Sequence, residues 1–439
     1  MPLLGWSYPY LKVMGEGMKK RVLPGLIAVT LMLFTPLTGW ATNGMNMIGT
    51  GAVSAGMGGA DVAVPAGCTA IAGNPAQLAT TCNRVISVGG ALMFPDMEDA
   101  PAGGSNVDNE FQVFPVPFIG YAQRLGTSRW SAGVGIFAQG GMGVDFKDVE
   151  VNTAYYPGMK DDLMSEVGFV RFSPTVAYNV SDRLTMGASL FAGYATIKYD
   201  FFPNTIGHKV KDLSSFTFSG RFGLSYQIND QWSVGATYTS ESSIDFDDGE
   251  LTQNFGPMGK VKYDDVKMDG FTWPRQVEIG AAYRATPKLL LALDLSWINW
   301  SSAIKTVTVT ASDPNGPVPP GYEKLKVPFE MDWDDQFVVA IGAEYELTES
   351  FTVRAGYNYG NTPVTNVNLS PIFPALVEHH ATVGCTYTWK QWDFDFAYEH
   401  AFTNTETNDG DANPMTNPFY GSEVSHTMDT FSFMVSYRF

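Results

Sequence analysis

Five histidines, His208, His379, His380, His400 and His426, are the side chains best suited to proton transfer near neutral pH. None stands in a motif that couples it to a serine or cysteine nucleophile, and no His/Cys/Asp/Glu group has metal-ligand spacing. The sequence therefore points away from an enzyme, a phospholipase-like one included, and implies no cofactor and no metal. Recognition chemistry is better represented. Arg171, Arg221, Arg284 and Arg354 fall on alternating segments where each could hold a carboxylate. The competing use is structural pairing with Asp294, Glu344, Asp393, Asp395 or Glu399. Of three cysteines, Cys68 and Cys82 flank one short segment, which suits a disulfide worth roughly 3 kcal/mol in an oxidising compartment. Cys385 alternates with Val383 and Tyr387 and reads as an inert thiol.

The elements that must carry these residues are strands. The last one, Ser432 to Phe439, puts Phe433, Val435, Tyr437 and Phe439 on one face and Ser432, Met434, Ser436 and Arg438 on the other. The same alternation recurs about fourteen times, near 84–95, 111–125, 129–140, 166–180, 183–200, 213–228, 231–245, 270–286, 288–300, 331–347, 350–360, 378–389, 391–402 and 427–439. Tight turns such as Ser181-Asp182, Asn229-Asp230 and Thr286-Pro287 alternate with long loops near 96–110, 141–165, 201–212, 246–269, 301–330, 361–377 and 403–426. Short turns on one side and long loops on the other predict an all-β fold, a transmembrane antiparallel β-barrel of about 14 strands.

The amino terminus fits that setting. Met18-Lys19-Lys20-Arg21, the apolar run Val22 to Leu37 and Gly39-Trp40-Ala41 read as a secretory signal over residues 1–41. No other stretch approaches the ~20 apolar residues of a helical span. The formal charge of −18 argues against nucleic acid as a partner, and the acids gather in the expected loops, where they solubilise the surface or bridge to lipopolysaccharide. A barrel of this width is not filled by its own side chains. Residues 42–83, rich in Gly and Ala and almost uncharged, are expected to form a hatch (plug) inside the lumen, with residues 84–439 as the barrel.

Apolar residues point to apolar cargo. Tyr155-Tyr156-Pro157, Phe201-Phe202-Pro203 and Pro371-Ile372-Phe373-Pro374 are candidate capture patches in the loops. Phe137, Phe191, Val338 and Met434 fall on lumen faces, where they could line a pocket or pack on the hatch; Arg171 and Arg221 join them as candidate substrate contacts. Pro115 and Pro117 lack ladder donors, and Gly140, Gly141 and Gly143 permit a bend, so a lateral opening is expected there.

Asn43-Gly44 after the signal, the run through Gly58-Gly59-Ala60, Asn74-Pro75-Ala76 and the terminal Phe439 resemble the FadL family (OmpP1/FadL/TodX-type) of outer-membrane transporters for long-chain fatty acids and aromatic hydrocarbons. The resemblance implies a monomeric fourteen-stranded barrel in the bacterial outer membrane, in contact with membrane lipid and lipopolysaccharide. It implies a hatch shaped by Gly58, Gly59, Asn74, Pro75 and Ala76, and hydrophobic substrates leaving through a kinked third strand. No local motif maps the family's ligand contacts onto this chain, so fatty acid and hydrocarbon stay open as substrates. The alternative function is a general water-filled diffusion porin, which the Gly/Ala-rich amino-terminal segment disfavours.

Overall fold

The computed structural model describes residues 43–80, 84–110, 112–151, 158–205, 207–413 and 416–439. The signal at 1–41, Cys82 and the Tyr155-Tyr156-Pro157 patch lie outside the described residues.

Fourteen barrel strands follow one another around a closed antiparallel sheet. They are β1 (Arg84–Ala100), β2 (Phe114–Arg124), β3 (Trp130–Val151), β4 (Met159–Asn179), β5 (Leu184–Phe201), β6 (His208–Gln227) and β7 (Trp232–Thr239 continued by Ser242–Asn254). Then come β8 (Lys260–Trp273 continued by Gln276–Thr286), β9 (Leu289–Ile298 continued after a helical turn by Ile304–Pro314) and β10 (Leu325–Glu330 continued by Gln336–Thr348). The ring ends with β11 (Phe351–Gly360), β12 (His379–Trp389), β13 (Trp392–Thr407) and β14 (Glu423–Arg438). It closes where β14 pairs with β1, from Val85 opposite Arg438 to Ala100 opposite Glu423. Closure leaves no sheet edge, which hydrocarbon requires.

The side-chain alternation explains the orientation of each strand. On β9, Leu291, Leu293 and Leu295 are exposed while Leu290, Ala292 and Asp294 are buried. Phe216 and Phe218 on β6 are 78% and 79% exposed. Aromatic side chains bared to that degree are expensive in water and at home in lipid.

The long connections differ from expectation. Much of 96–110, 141–165, 201–212, 246–269, 301–330 and 403–426 is strand, because hairpins such as β7–β8 carry their ladder outward to Asn254 opposite Lys260. Bulges with left-handed backbone at Asp148, Asp212 and Asp248, and register shifts such as that between Tyr263 and Val266, break the period-two signal of these extensions while backbone pairing persists. The 361–377 connection is a true loop, and it turns inward: Leu369, Ile372, Leu376 and Val377 are almost wholly buried. The Pro371–Pro374 patch is therefore packed away rather than displayed; Phe202 is buried as well.

Residues 43–80 form a short helix, α1 (Ala52–Gly56), and two 3₁₀ turns, Gly67–Ile71 and Pro75–Thr80. They touch inward-facing residues on opposite sides of the ring. Gly56 lies against Gly384 of β12, and Pro75 against Gly187 of β5 and Gly223 of β6. At those wall glycines a Cβ would sit 2.3 Å from Pro75 or 2.1 Å from the Asn74 side chain, so the wall is thinned where the segment approaches.

Candidate functional site

The Asn74-Pro75-Ala76 motif is a hydrogen-bonding clip. Asn74 Nδ2 donates to the carbonyls of Val62 at 2.7 Å and Leu224 at 2.9 Å, and its Oδ1 accepts the Ala76 N–H at 3.0 Å. Pro75 then opens a 3₁₀ turn with its φ already set and no N–H to satisfy. Gln77 extends the clip to Ser225. Gly58 and Gly59 adopt left-handed backbone, φ 65° and 82°, and a Cβ on Gly59 would lie 2.0 Å from the Ile48 carbonyl oxygen.

Lumen charges sort into distinct roles. Arg354 pairs with Glu344 at 2.7 Å and donates to Thr386, which is the structural pairing. Asp393 pairs with Arg438 at 2.6 Å. Arg221 donates to the backbone carbonyls of Ala72 and Gly73 and to Thr239 Oγ1, tying the wall to the amino-terminal segment. Arg284 reaches the Pro287 carbonyl at the short-turn rim. Arg171, fully buried, lies 4.8 Å from the Phe169 ring and 4.6 Å from Phe191, and donates to Gln139 and Ser242. Asp294 accepts the Asp61 and Val62 N–H groups. A polar cavity of about 70 Å³ is lined by Asn46, Asp61, Gln139, Arg221, Glu278 and Asp294.

The predicted apolar lumen residues divide similarly. Phe137, Phe191 and Met434 share one buried cluster with Ala52, Ile71 and Leu78 of the amino-terminal segment, so they pack on it. Val338 belongs to a larger cluster further along the lumen. Sequence reasoning missed the centre of that cluster. Phe169, Trp273, Trp300 and Trp333 form a chain of ring contacts with centroid spacings of 4.9, 6.1 and 5.1 Å. Trp273 ends the first segment of β8 and Trp300 opens the helical turn within β9, among aromatics that also suit an interfacial girdle, so nothing local marked them as inward.

Cys68 carries a free thiol that donates to the Val85 carbonyl at 3.3 Å, and burial pushes its pKa up to about 11. Its expected partner is the undescribed Cys82. Cys385 is also free and keeps the outward alternation.

The wall is interrupted at the predicted prolines and glycines. The β2–β3 ladder runs from Arg124 opposite Ser131 to Phe118 opposite Phe137 and ends there, although β2 begins at Phe114 and β3 continues to Val151. Pro115 and Pro117 occupy the stretch of β2 that has no partner on β3, while it stays in register with Leu92 and Gly90 of β1. A bulge follows on β3 between Ala138 and Gly140 in its pairing with β4. From Gly140 to Val144 every residue is buried, so β3 loses its in-out alternation and leaves the lipid-facing surface. Asn46 bridges Gly140 from within, and a Cβ on Gly140 would sit 1.9 Å from the Met45 carbonyl oxygen.

A closed fourteen-stranded sheet with an apolar belt and a polar lumen defines an integral β-barrel of the outer membrane. The chain belongs to the family of outer membrane protein transport proteins (OMPP1/FadL/TodX), whose model matches residues 31–439. It is similar to outer membrane protein P1 of Haemophilus influenzae, 26% identical over 193 residues that cover 43% of this chain and 39% of that relative. It is also similar to the long-chain fatty acid transport protein of Escherichia coli K12, 20% identical, covering 72% of this chain and 78% of that one. The fold matches the toluene transporter TbuX of Ralstonia pickettii with a TM-score of 0.71 at 22% identity, covering 89% and 99% of the two chains. It matches the toluene transporter TodX of Pseudomonas putida with a TM-score of 0.73 at 19% identity, covering 91% and 100%.

Proposed function

We propose that this protein is an uptake channel for hydrophobic small molecules. Residues 43–80 act as a hatch within the barrel, and the β2–β3 interruption is a lateral exit to the outer leaflet. The observation that carries the reading is the end of the ladder at Phe118 and Phe137, followed by the continuous burial of Gly140 to Val144. A solute gains about 25 cal/mol for each Å² of apolar surface it buries, so a route from an apolar pocket straight into lipid avoids the unfavourable return to water. The Phe169–Trp273–Trp300–Trp333 cluster supplies such a pocket. Residues 44–46 stand between it and the interruption: Trp273 Nε1 donates to Asn46 Oδ1 at 2.8 Å, and Gly44 abuts Trp300.

In this reading Asn74, Pro75, Ala76, Gly58 and Gly59 shape the hatch, while Pro115, Pro117, Gly140, Gly141 and Gly143 shape the exit. Val338 borders the path and Arg171, held by Gln139 and Ser242, is its cation. Phe137, Phe191, Met434 and Arg221 act through the hatch. The substrates are fatty acids or hydrocarbons, the classes for which the relatives are named. The barrel works as a monomer among outer-membrane lipids and lipopolysaccharide, and Cys68 pairs with Cys82 under oxidising conditions.

The test is uptake of a hydrophobic probe by the Gly140→Val/Gly141→Val protein. The expected result is lost uptake in a barrel whose heat-modifiable gel mobility is unchanged. Uptake at the wild-type rate would overturn the lateral route.

A further inference from the structure

On the inner wall between β12 and β14 the side-chain accounting does not close. Glu399 of β13 lies opposite Thr430 of β14 and Thr382 of β12. Thr382 donates to the Gly56 carbonyl at 3.2 Å, which places this row directly against α1. Glu399 and Thr430 are 5% and 2% exposed. Neither Glu399 Oε1 nor Thr430 Oγ1 has a hydrogen-bond partner among the described residues, and Glu399 enters no ion pair. His380, two residues before Thr382 and on the same inward face, is 0% exposed, and among the described residues its ring has the Asn358 backbone beside it but no hydrogen bond of ordinary geometry. Their outward neighbours behave differently: His400 and Tyr398 both bond Asp429, at 2.8 and 2.6 Å. Buried polar side chains in folded proteins are hydrogen-bonded as a rule, so a group of three that is not calls for a partner from elsewhere.

We propose that Glu399, Thr430 and His380 form a polar subsite in the lumen that receives the hydroxyl group of an otherwise apolar ligand, a long-chain alcohol or an alkylphenol. The inference rests on the channel reading above and names a substrate class for it. A hydroxyl matches the three groups in both directions. Its proton goes to Glu399 Oε1, since a carboxyl group keeps an accepting oxygen in either protonation state. Its lone pairs accept from Thr430 Oγ–H or a His380 ring N–H. A carboxylate ligand, with no proton to give, would leave the accepting oxygen of Glu399 without a donor, and an ammonium would leave the Thr430 and His380 donors without an acceptor. Sites built to bond a hydroxyl discriminate strongly against the analogue lacking it, because their own polar groups are then left unpaired.

The experiment is equilibrium dialysis of the full barrel in detergent micelles, corrected with empty micelles, against 4-pentylphenol, 4-pentyltoluene and 4-pentylbenzylamine. The wild type is expected to bind the phenol at least tenfold more tightly than the toluene or the amine. Glu399→Leu/Thr430→Val should bind phenol and toluene alike, whereas Glu399→Gln, which keeps an accepting oxygen, should retain most of the preference. Heat-modifiable mobility reports folding of each variant. Equal wild-type binding of phenol and toluene, preference for the amine, or a preference that survives in the double variant would overturn the subsite and leave the channel reading standing. Binding of none of the three probes would overturn both.

Discussion

The backbone N–H of Asp61 donates to Asp294 Oδ2 at 2.7 Å, and the next N–H, that of Val62, donates to the same oxygen at 2.8 Å. One β9 carboxylate thus anchors the middle of the amino-terminal segment to the barrel wall. Asp294→Ala would leave two backbone donors unsatisfied, at about 1–3 kcal/mol each where they are buried. The expected outcome is a higher ion conductance in planar bilayers, from more frequent release of the segment. Asp294→Asn, which keeps one accepting oxygen, should fall between wild type and Ala.

The same contact should respond to pH. Burial raises the Asp61 pKa to about 6, opposed by the nearby Ser54 hydroxyl and by Arg221 and reinforced by Glu278. A carboxyl whose docked pKa exceeds its free value of ~3.9 favours docking while protonated, and loses that contribution as pH rises from about 4 to about 6. The rise to about 6 corresponds to roughly 3 kcal/mol. Conductance openings should therefore be rarer at pH 4.5 than at pH 7.5, and Asp61→Asn should flatten the profile. An identical slope in Asp61→Asn would assign the pH response to other groups.

Asn74 offers a sharper test, because its amide works in both directions. Asn74→Ala removes two donated bonds and one accepted bond. Asn74→Asp keeps the acceptor for Ala76 but turns a carboxylate oxygen toward the Val62 and Leu224 carbonyls. Aspartate should therefore be the more damaging substitution despite being isosteric. Proteolysis of the 43–80 segment in folded barrels should be fastest for Asp, intermediate for Ala and slowest for the wild type.

The extent to which these relationships were legible follows from what encodes them. The wall is written in period two: Leu291, Leu293 and Leu295 against Asp294 is a local pattern, and the strand order follows from short turns such as Ser181-Asp182. The Asn74-Pro75-Ala76 turn and the end of the β2–β3 ladder were visible because Pro and Gly restrict or free the backbone wherever they stand. The partners of the motif were not. Asp61 and Asp294 are separated by more than half the chain, and only closure of the barrel brings them together. The outer strand segments escaped notice because a bulge between Tyr263 and Val266 puts Asp264 and Asp265 side by side and shifts the alternation by one, while the ladder continues and Val261, Tyr263, Val266 and Met268 stay buried. The inward fold of 361–377 was hidden because buried and exposed loop prolines look alike in sequence.

Asn46 separates the two jobs assigned to the amino-terminal segment. Its Oδ1 accepts from Trp273 Nε1 at 2.8 Å and from Gln139 Nε2 at 2.9 Å, and its backbone bridges Gly140 at the interruption. Asn46→Leu would leave both donors unpaired beside the end of the β2–β3 ladder while the Asn74 clip and the Asp294 anchor stay intact. Gly356→Val would act elsewhere: its Cβ would fall 2.2 Å from the Gly58 N, forcing the segment off β11. If residues 44–46 gate the exit and the remainder of the segment seals the lumen, Asn46→Leu should change the uptake rate of a hydrophobic probe severalfold with little change in ion conductance. Gly356→Val should raise conductance whatever it does to uptake. Parallel changes in both quantities for both variants would mean that the segment moves as a single body, with no separate gate at Gly140.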